Sequence, residues 1–490
     1  MAATTAAPSF LATRRGKLTL ALLCAIAFLD FIDASIVNIA LPDIRTDLNF
    51  SVQNLQWVLS GYLLTYGGFM LLGGRAGDLL GRRRVLVTGT LLFAASSLTG
   101  GFAGNAGVLV GSRLAQGLGA AMMLPAALSL LTTLFKEGKD RNTALGVWGG
   151  VAGLASAAGV FLGGVLTEGP GWRWVLFVNP PIAVLLLGAI FALIPGERRH
   201  APLANFDVLG TTLVTGGMLL LVYGLVKAPD QGWGSGRTIG ELAGAGLLLA
   251  VFVGNEQRSR NPLVPLSVFR IRGIGAADVT MLIAAAGVIS MFFFLTLYMQ
   301  NVLGYSPIKT GASYLPFTAG VAVAAGVSSQ LMARIGTRPL IVVGALIGAG
   351  GLYYLSRIPV DGSYLTDLFP GMMLVSVGLG AMFVAVTTAA NAGVPADKAG
   401  LAAALINASQ QVGGALGLAI FSAIATARTD HLFAAHASPA HALTSGFHRA
   451  LLAECFFVVA TALLGLRTRN AHGEQPASAV EPAPEPAVVS

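Results

Sequence analysis

The stretch FLDFIDASIVNIALP sets Asp30 and Asp33 three residues apart inside an otherwise apolar run. On a helix that spacing puts both acids on one face. Within a bilayer each is costly unless that face looks into protein or a water-filled cavity. A third ionisable group lies in VLVGSRLAQGLGAAMMLPAA, where Arg113 is followed one turn later by Gln116, with Gly117 and Gly119 thinning the helix and Pro125 interrupting it. Arg113 either snorkels to the interface or faces a cavity and pairs with an acid on a nearby helix; the helix-thinning residues favour the second. Asp33 falls about 16 residues beyond Lys17, roughly 24 Å along a helix axis at 1.5 Å per residue, a depth that an antiparallel Arg113 matches. A carboxylate at that depth, reached by water from alternate sides, can take up a proton in one state and release it in another. Asp30, nearer the middle, is either a second such group or a structural hydrogen-bonding acid. Asp278, one turn past Arg272, is either an anchor at the membrane surface or the next coupling carboxylate.

The elements that must hold these groups follow from composition. With 490 residues, 55% hydrophobic and 11% charged, the chain is far poorer in charge than a soluble domain, at about 25%. It reads as an all-α polytopic membrane protein, and its Gly 63 suits close helix packing. Apolar segments of about 20 residues fall near 18–41, 55–74, 85–104, 108–130, 144–166, 174–194, 208–227, 237–254, 274–298, 310–332, 338–358, 367–390, 399–426 and 447–466. Fourteen spans with both ends inside put twenty-one of the 30 Lys and Arg on the inner side, eight outside and Arg113 within a span, as the positive-inside rule requires. The expected organisation is a cytoplasmic tail 1–17, a six-helix bundle 18–200, a two-helix insert 201–260, a second six-helix bundle 261–468 and a disordered Pro/Ala/Glu-rich tail 469–490. Both termini are expected in the cytoplasm of a multi-pass cell-membrane protein. Net charge of +8 belongs to the loops and implies no nucleic acid.

A weak internal repeat supports the two bundles: GGRAGDLLGRRRVLV and SSQLMARIGTRPLIV each run from a span end through a small-residue turn into a new span, and aligning Gly81 with Gly336 sets Arg83 opposite Arg338. In the first hairpin Gly81 permits a tight turn, Asp78 is placed to accept from an Arg or a helix end, and Arg82 and Arg83 follow. The hairpin reads as a conformational latch, with a plain positive-inside anchor as its rival. The fifth span, with glycines at 146, 149, 150, 153, 159 and 163, is expected to pack closely along its length or slide.

These motifs resemble the major facilitator superfamily, and within it the 14-span drug:proton antiporters of the EmrB/QacA type, over about residues 15–468. GRAGDLLGRRR is similar to the superfamily's loop signature, RLAQGLGAA to its fourth-span motif, and LDFIDASIVNIALP to the group's first-span motif, whose Asp falls on Asp33 and Asn on Asn38. The resemblance implies two six-helix bundles around a midplane cavity, coupling by Asp33 and Arg113 with Asp30 and Asp278 as further candidates, and a substrate cavity lined by Asn38, Trp57, Tyr62, Gln116, Tyr298, Asn407 and Gln411. It implies proton-driven export of amphipathic drugs or antibiotics, or alternatively a proton-coupled carrier for one specific metabolite. The partners are then a small-molecule substrate, protons and the bilayer, with no cofactor and a functional monomer. Two departures stand out. The fifth-span antiporter motif GPxxGG lacks its proline, reading Gly159, Val160, Phe161, Leu162, Gly163, Gly164, and Asp30 is an acid where the group is usually apolar.

Other chemistries find no support. Cys24 and Cys455 lie in apolar runs at opposite ends, without disulfide or metal-ligand spacing. The six His follow no HExxH pattern, although four of them gather around the last external loop, where a surface pH or metal effect is the rival to a plain polar loop. No nucleotide-binding motif is present, so the energy for transport comes from an ion gradient or a partner.

Overall fold

In the computed structural model the described residues are 10–135, 139–196, 207–259, 262–271, 273–392, 394 and 399–472, without the side chains of Asp78, Lys139, Arg270 and a few other helix residues. Every regular element among them is helical. Fourteen helices are long: α1 (Arg14–Asp47), α2 (Trp57–Leu80), α3 (Arg82–Gly101), α4 (Ala106–Leu134), α5 (Lys139–Glu168), α6 (Asn179–Leu193), α7 (Val208–Gln231), α8 (Gly236–Arg258), α9 (Ile274–Leu297), α10 (Pro307–Ile335), α11 (Thr337–Leu355), α12 (Phe369–Asn391), α13 (Ala399–Ala434) and α14 (Pro439–Gly465). Short helical turns precede or follow several of them. Of the candidate spans, 13 are long and apolar enough to cross a membrane. The fourteenth is α3, 20 residues long, whose apolar run is diluted by Thr88, Thr90, Ser96, Ser97 and Thr99. Of the expected terminal tails, residues 1–9 and 473–490 lie outside the described residues; residues 10–17 instead form a helical turn and the start of α1, and Arg469, Asn470 and Ala471, expected in the disordered tail, hydrogen-bond Thr337 and Arg338 because the α10–α11 hairpin offers free polar groups there.

Local sequence explains the breaks. Helices α4, α10 and α14 open on Asn105, Ser306 and Ser438, whose side chains accept from the N–H groups of Val108, Lys309 and His441, satisfying donors that a helix start leaves free. Gly81 and Gly336 join α2 to α3 and α10 to α11 at φ of 101° and 82°, a region that disfavours any residue with a Cβ.

The weak sequence repeat is strong in space. Helix α1 packs on α5 as α9 does on α13, α3 on α4 as α11 on α12, and α2 on α4 as α10 on α12. A Cβ at Gly159 or Gly163 would collide with α1 at Ile32 or Ile36, and one at Gly413 or Gly417 with α9 at Leu282 or Ala286. Arg83 donates to the Phe191 carbonyl at 3.3 Å near the end of α6, and Arg338 to the Thr468 carbonyl at 2.8 Å just beyond α14. Each ties its hairpin to the unpaired carbonyls ending the sixth helix of its repeat. Helices α7 and α8 lie outside this scheme. Helix α7 leans on α2 and α13, with Gln53 donating to the Val226 carbonyl, and α8 packs chiefly on α7.

The repeats meet along α5/α10 and α2/α13. At the face away from the hairpin arginines, α5 and α10 are in backbone contact: a Cβ at Gly164 would strike Pro307, and one at Gly311 would strike Val160. Glu168 accepts from the Ile308 N–H at 3.0 Å, and Gln300 donates to the Ile39 carbonyl at 2.9 Å. Toward the arginine face the same two helices part. There a Cβ at Gly146, Gly149, Gly150 or Gly326 would meet nothing. The expectation that the glycines of α5 pack along its length is corrected: Gly159, Gly163 and Gly164 do, whereas Gly146, Gly149 and Gly150 do not, because this end of α5 rests on the first repeat through Ala144, Trp148 and Val151 and turns those glycines away. The surroundings of Gly153 lie outside the described residues.

Candidate functional site

Asp33 and Arg113 meet. Helix α1 carries Asp33 and α4 carries Arg113; the guanidinium Nη1 lies 2.7 Å from Asp33 Oδ2, with both side chains essentially inaccessible. Asp33 Oδ1 accepts from Gln116 Nε2 at 2.8 Å and from Asn179 Nδ2 at 2.7 Å. Arg113 also donates through Nε to the Val58 carbonyl at 3.0 Å and through Nη1 to Gln116 Oε1 at 2.6 Å. Its guanidinium carbon lies 4.4 Å from the centre of the Tyr62 ring, a cation–π placement. Snorkelling is thereby ruled out for this conformation.

Asp30 is held separately. It accepts from the Tyr62 hydroxyl at 2.7 Å and from the Tyr66 hydroxyl at 3.1 Å. Tyr62 therefore joins the two acids, bonding one through its hydroxyl and stacking on the other's cation with its ring. Gln411 on α13 lies beside Tyr66, so the Asp30 side of the cluster reaches across to the second repeat. Close approach there depends on Gly67, where a Cβ would lie 3.0 Å from that of Gln411.

Three contributors escaped the sequence reading as site residues. Tyr66 repeats Tyr62 one turn on. Asn179 opens α6 ahead of Pro180 and Pro181, and is fixed by Ser97 at 2.9 Å, which itself donates to the Leu176 carbonyl at 2.8 Å. An Asn before two prolines in an apolar run was the available signal for Asn179. Nothing in the α3 sequence distinguishes Ser97 from Ser96.

The remaining expected positions scatter. Asn38 bridges the repeats, donating to the Phe292 carbonyl and to Thr296 Oγ1 at 3.2 Å each. Tyr298 is fully buried and donates to the Pro359 carbonyl near the closed face. Trp57 packs beside Leu64, Val222 and Ala415. Asn407 donates to its own helix at the Ala403 carbonyl, 2.8 Å away. Gln116 and Tyr62 belong to the buried cluster rather than to an open wall. Asp278 is buried near the start of α9, with no hydrogen-bond partner for either oxygen; it is not joined to the cluster. In the hairpin, Gly81 makes the turn, Arg82 donates to Thr133, and Arg83 stacks on Phe191 at 5.0 Å. The Asp78 side chain lies outside the described residues.

Among the described residues, twelve helices in a duplicated arrangement and two outside it, with a buried ion-paired cluster beside the seam between the repeats, define a secondary transporter rather than an enzyme. The chain belongs to the Major Facilitator Superfamily, whose family model matches residues 23–418. It is 40% identical over 444 residues to a puromycin resistance protein of Streptomyces alboniger, covering 90% of this chain and 88% of that one. It is 37% identical over 455 residues to a cephamycin export protein of Amycolatopsis lactamdurans, covering 92% of each. Among solved structures, a bacterial homologue of the human lysosomal transporter Spinster superposes with a TM-score of 0.65 at 16% identity, over 93% of this chain and 97% of that one. A D-xylose–proton symporter gives 0.63 at 14% identity, over 92% and 97%.

Proposed function

We propose that the protein exports amphipathic antibiotics or drugs from the cytoplasm in exchange for protons, as a 14-span antiporter of the EmrB/QacA type. Residues 18–200 and 261–468 are the two moving halves, 201–260 an insert, and both termini are cytoplasmic, so that the arginine face is the inner one. The observation that carries the reading is the Asp33–Arg113 pair, 2.7 Å apart and out of reach of solvent. A proton arriving on Asp33 cancels its attraction for Arg113 and converts an acceptor of three hydrogen bonds into a donor, so Arg113, Gln116 and Asn179 must rearrange. Asp33 and Arg113 are the coupling pair, and Asp30 is the acid positioned for cationic substrates or a second proton.

The splayed inner ends of α5 and α10 fit an inward-open state, with Asp33 ion-paired and the halves closed outside through Gly164, Gly311 and Asn38. In exchange this is the state that has released its proton and awaits substrate. Closing the inner ends and opening the outer ones is a rocking of the two halves, for which the hairpin at Asp78–Arg83 serves as a latch. Likeness to a cephamycin export protein, 37% identical, and to a puromycin resistance protein, 40% identical, supports the substrate class.

The test uses proteoliposomes with puromycin as the first probe and an imposed pH gradient without ATP. Uphill movement that collapses with a protonophore is expected. Transport indifferent to the gradient, for puromycin and for a panel of lipophilic cations and cephamycins, overturns the reading.

A further inference from the structure

Glu454 lies midway along α14 at 0% exposure, and neither carboxyl oxygen has a hydrogen-bond partner. Its surroundings are apolar. Gly287 of α9 sits against the Glu454 backbone and Val458, Phe457 stacks edge-on against Phe421 of α13 at 5.0 Å, and Cys455 donates to the Ala349 carbonyl of α11 at 3.3 Å. The ionisable groups of the packed helices are remote along them. Helix α9 offers Asp278, more than two turns from Gly287; α11 has Arg338, Tyr353 and Tyr354 near its ends; α13 has Arg428, Asp430 and His431 near its end; α14 itself has His441, His448 and Arg449 toward that same face. An ionised carboxylate with neither counter-charge nor donor is costly in such a place, whereas an apolar residue of similar volume would pack without penalty. Intramembrane acids retained against that cost mark ion or proton pathways.

The repeat says what kind of position this is. GWRWVLFVN, ending at Asn179, runs in register with GFHRALLAE, ending at Glu454. In the first half the residue at this place on the sixth helix binds the acid of the first helix. In the second half the glycine contacts make Leu282 the counterpart of Ile32, so Asp33 corresponds to Ile283. The acid is absent from the first helix and present on the sixth.

We propose that Glu454 is the proton-binding site of the second half, exchanging a proton with the aqueous phase during the transport cycle; this rests on the proton-exchange reading above. The route toward the outer face is marked by polar groups without partners. Ser422 and Thr426 on α13 and Thr444 on α14 have buried hydroxyls that lack hydrogen bonds. Ser422 and Thr426 share a helix face with Thr429, which donates to the Ala442 carbonyl of α14 at 3.3 Å.

Two measurements on the full chain test the site. Infrared difference spectra of the membrane-reconstituted protein after a pH jump are expected to show a carboxylic C=O band that Glu454→Gln loses and Glu454→Asp shifts. Null-point measurement of the proton-to-puromycin ratio is expected to fall by one in Glu454→Gln. The same band in wild type and Glu454→Gln with an unchanged ratio makes Glu454 a neutral structural acid and overturns the proposal. Should Glu454→Gln not fold, a band unmoved by Glu454→Asp overturns it equally. If wild type ignores the pH gradient, the antiport reading fails while the infrared titration still decides whether Glu454 exchanges a proton.

Discussion

The two halves share one helix layout and differ in what fills it. The first encloses Asp30, Asp33, Arg113, Gln116, Asn179, Tyr62 and Tyr66 in a continuous network. The second buries Phe293, Phe294, Phe317, Phe421 and Phe447, with the isolated Glu454 among them. A duplicated scaffold thus fixes backbone contacts, through glycines at matching positions, while leaving the chemistry of each interior free. The charged half is stable only with its charges matched, because a buried ion that loses its partner costs about 3–5 kcal/mol. The second half has no ion pair to match; its buried acids Asp278 and Glu454 have no hydrogen-bond partner, so an ionised form there is costly.

The largest effect is expected from unmatching the charged half. Asp33→Asn should abolish uphill transport, and it should also cost stability, because Arg113 is then left as an unpaired buried cation at about 3–5 kcal/mol. The pair is 2.7 Å apart with both side chains inaccessible, so no water can take the place of the lost charge. Thermal unfolding in detergent of Asp33→Asn, Arg113→Gln and the double variant separates the two effects. The double variant should recover much of the lost stability and none of the coupling. A double variant no more stable than either single one would mean that the network, not the charge balance, holds this half together.

A second contrast, between the joined and parted ends of α5 and α10, should give a smaller and state-dependent effect. Gly311→Leu places a side chain onto the Val160 backbone and should prevent closure of the outer face, with transport falling to background. Gly149→Leu points into open space in this conformation, so its effect on stability should stay within about 0.5 kcal/mol while turnover slows through hindered inner closure. Equal loss of stability in both variants would contradict the parted arrangement.

The smallest effect is expected from Tyr66→Phe, which removes one of two hydroxyl donors to Asp30 and the contact to Gln411 on the other half. Hydrogen bonds to charged groups contribute about 1.5–3 kcal/mol, so the variant should fold. It should retain proton-driven export while its preference between cationic and neutral drugs shifts. Competition of ethidium against a neutral probe measures that shift; unchanged selectivity would confine Asp30 and its two tyrosines to a structural role.

The sequence by itself determined the class. Fourteen apolar runs, the bias of Lys and Arg between alternate loops, and the hairpin motifs depend only on local composition and on the cost of polar groups in lipid, which act residue by residue. It also pointed to Asp33 and Arg113 as partners, since helix rise and alternating direction fix depth before any packing is known. Which other residues join them is a matter of rotation and contact between helices far apart in sequence. Asn179 lies 146 residues from Asp33, and no local pattern in α6 says that its amide turns toward α1. The same holds for Tyr298, Asn38 and Gln116, whose polar types suggested a cavity wall and whose packing buries them. The parting of α5 from α10 was equally illegible, because Gly149 and Gly164 are chemically identical. Only the tilt between the two halves gives one of them a backbone to rest on and leaves the other facing open space.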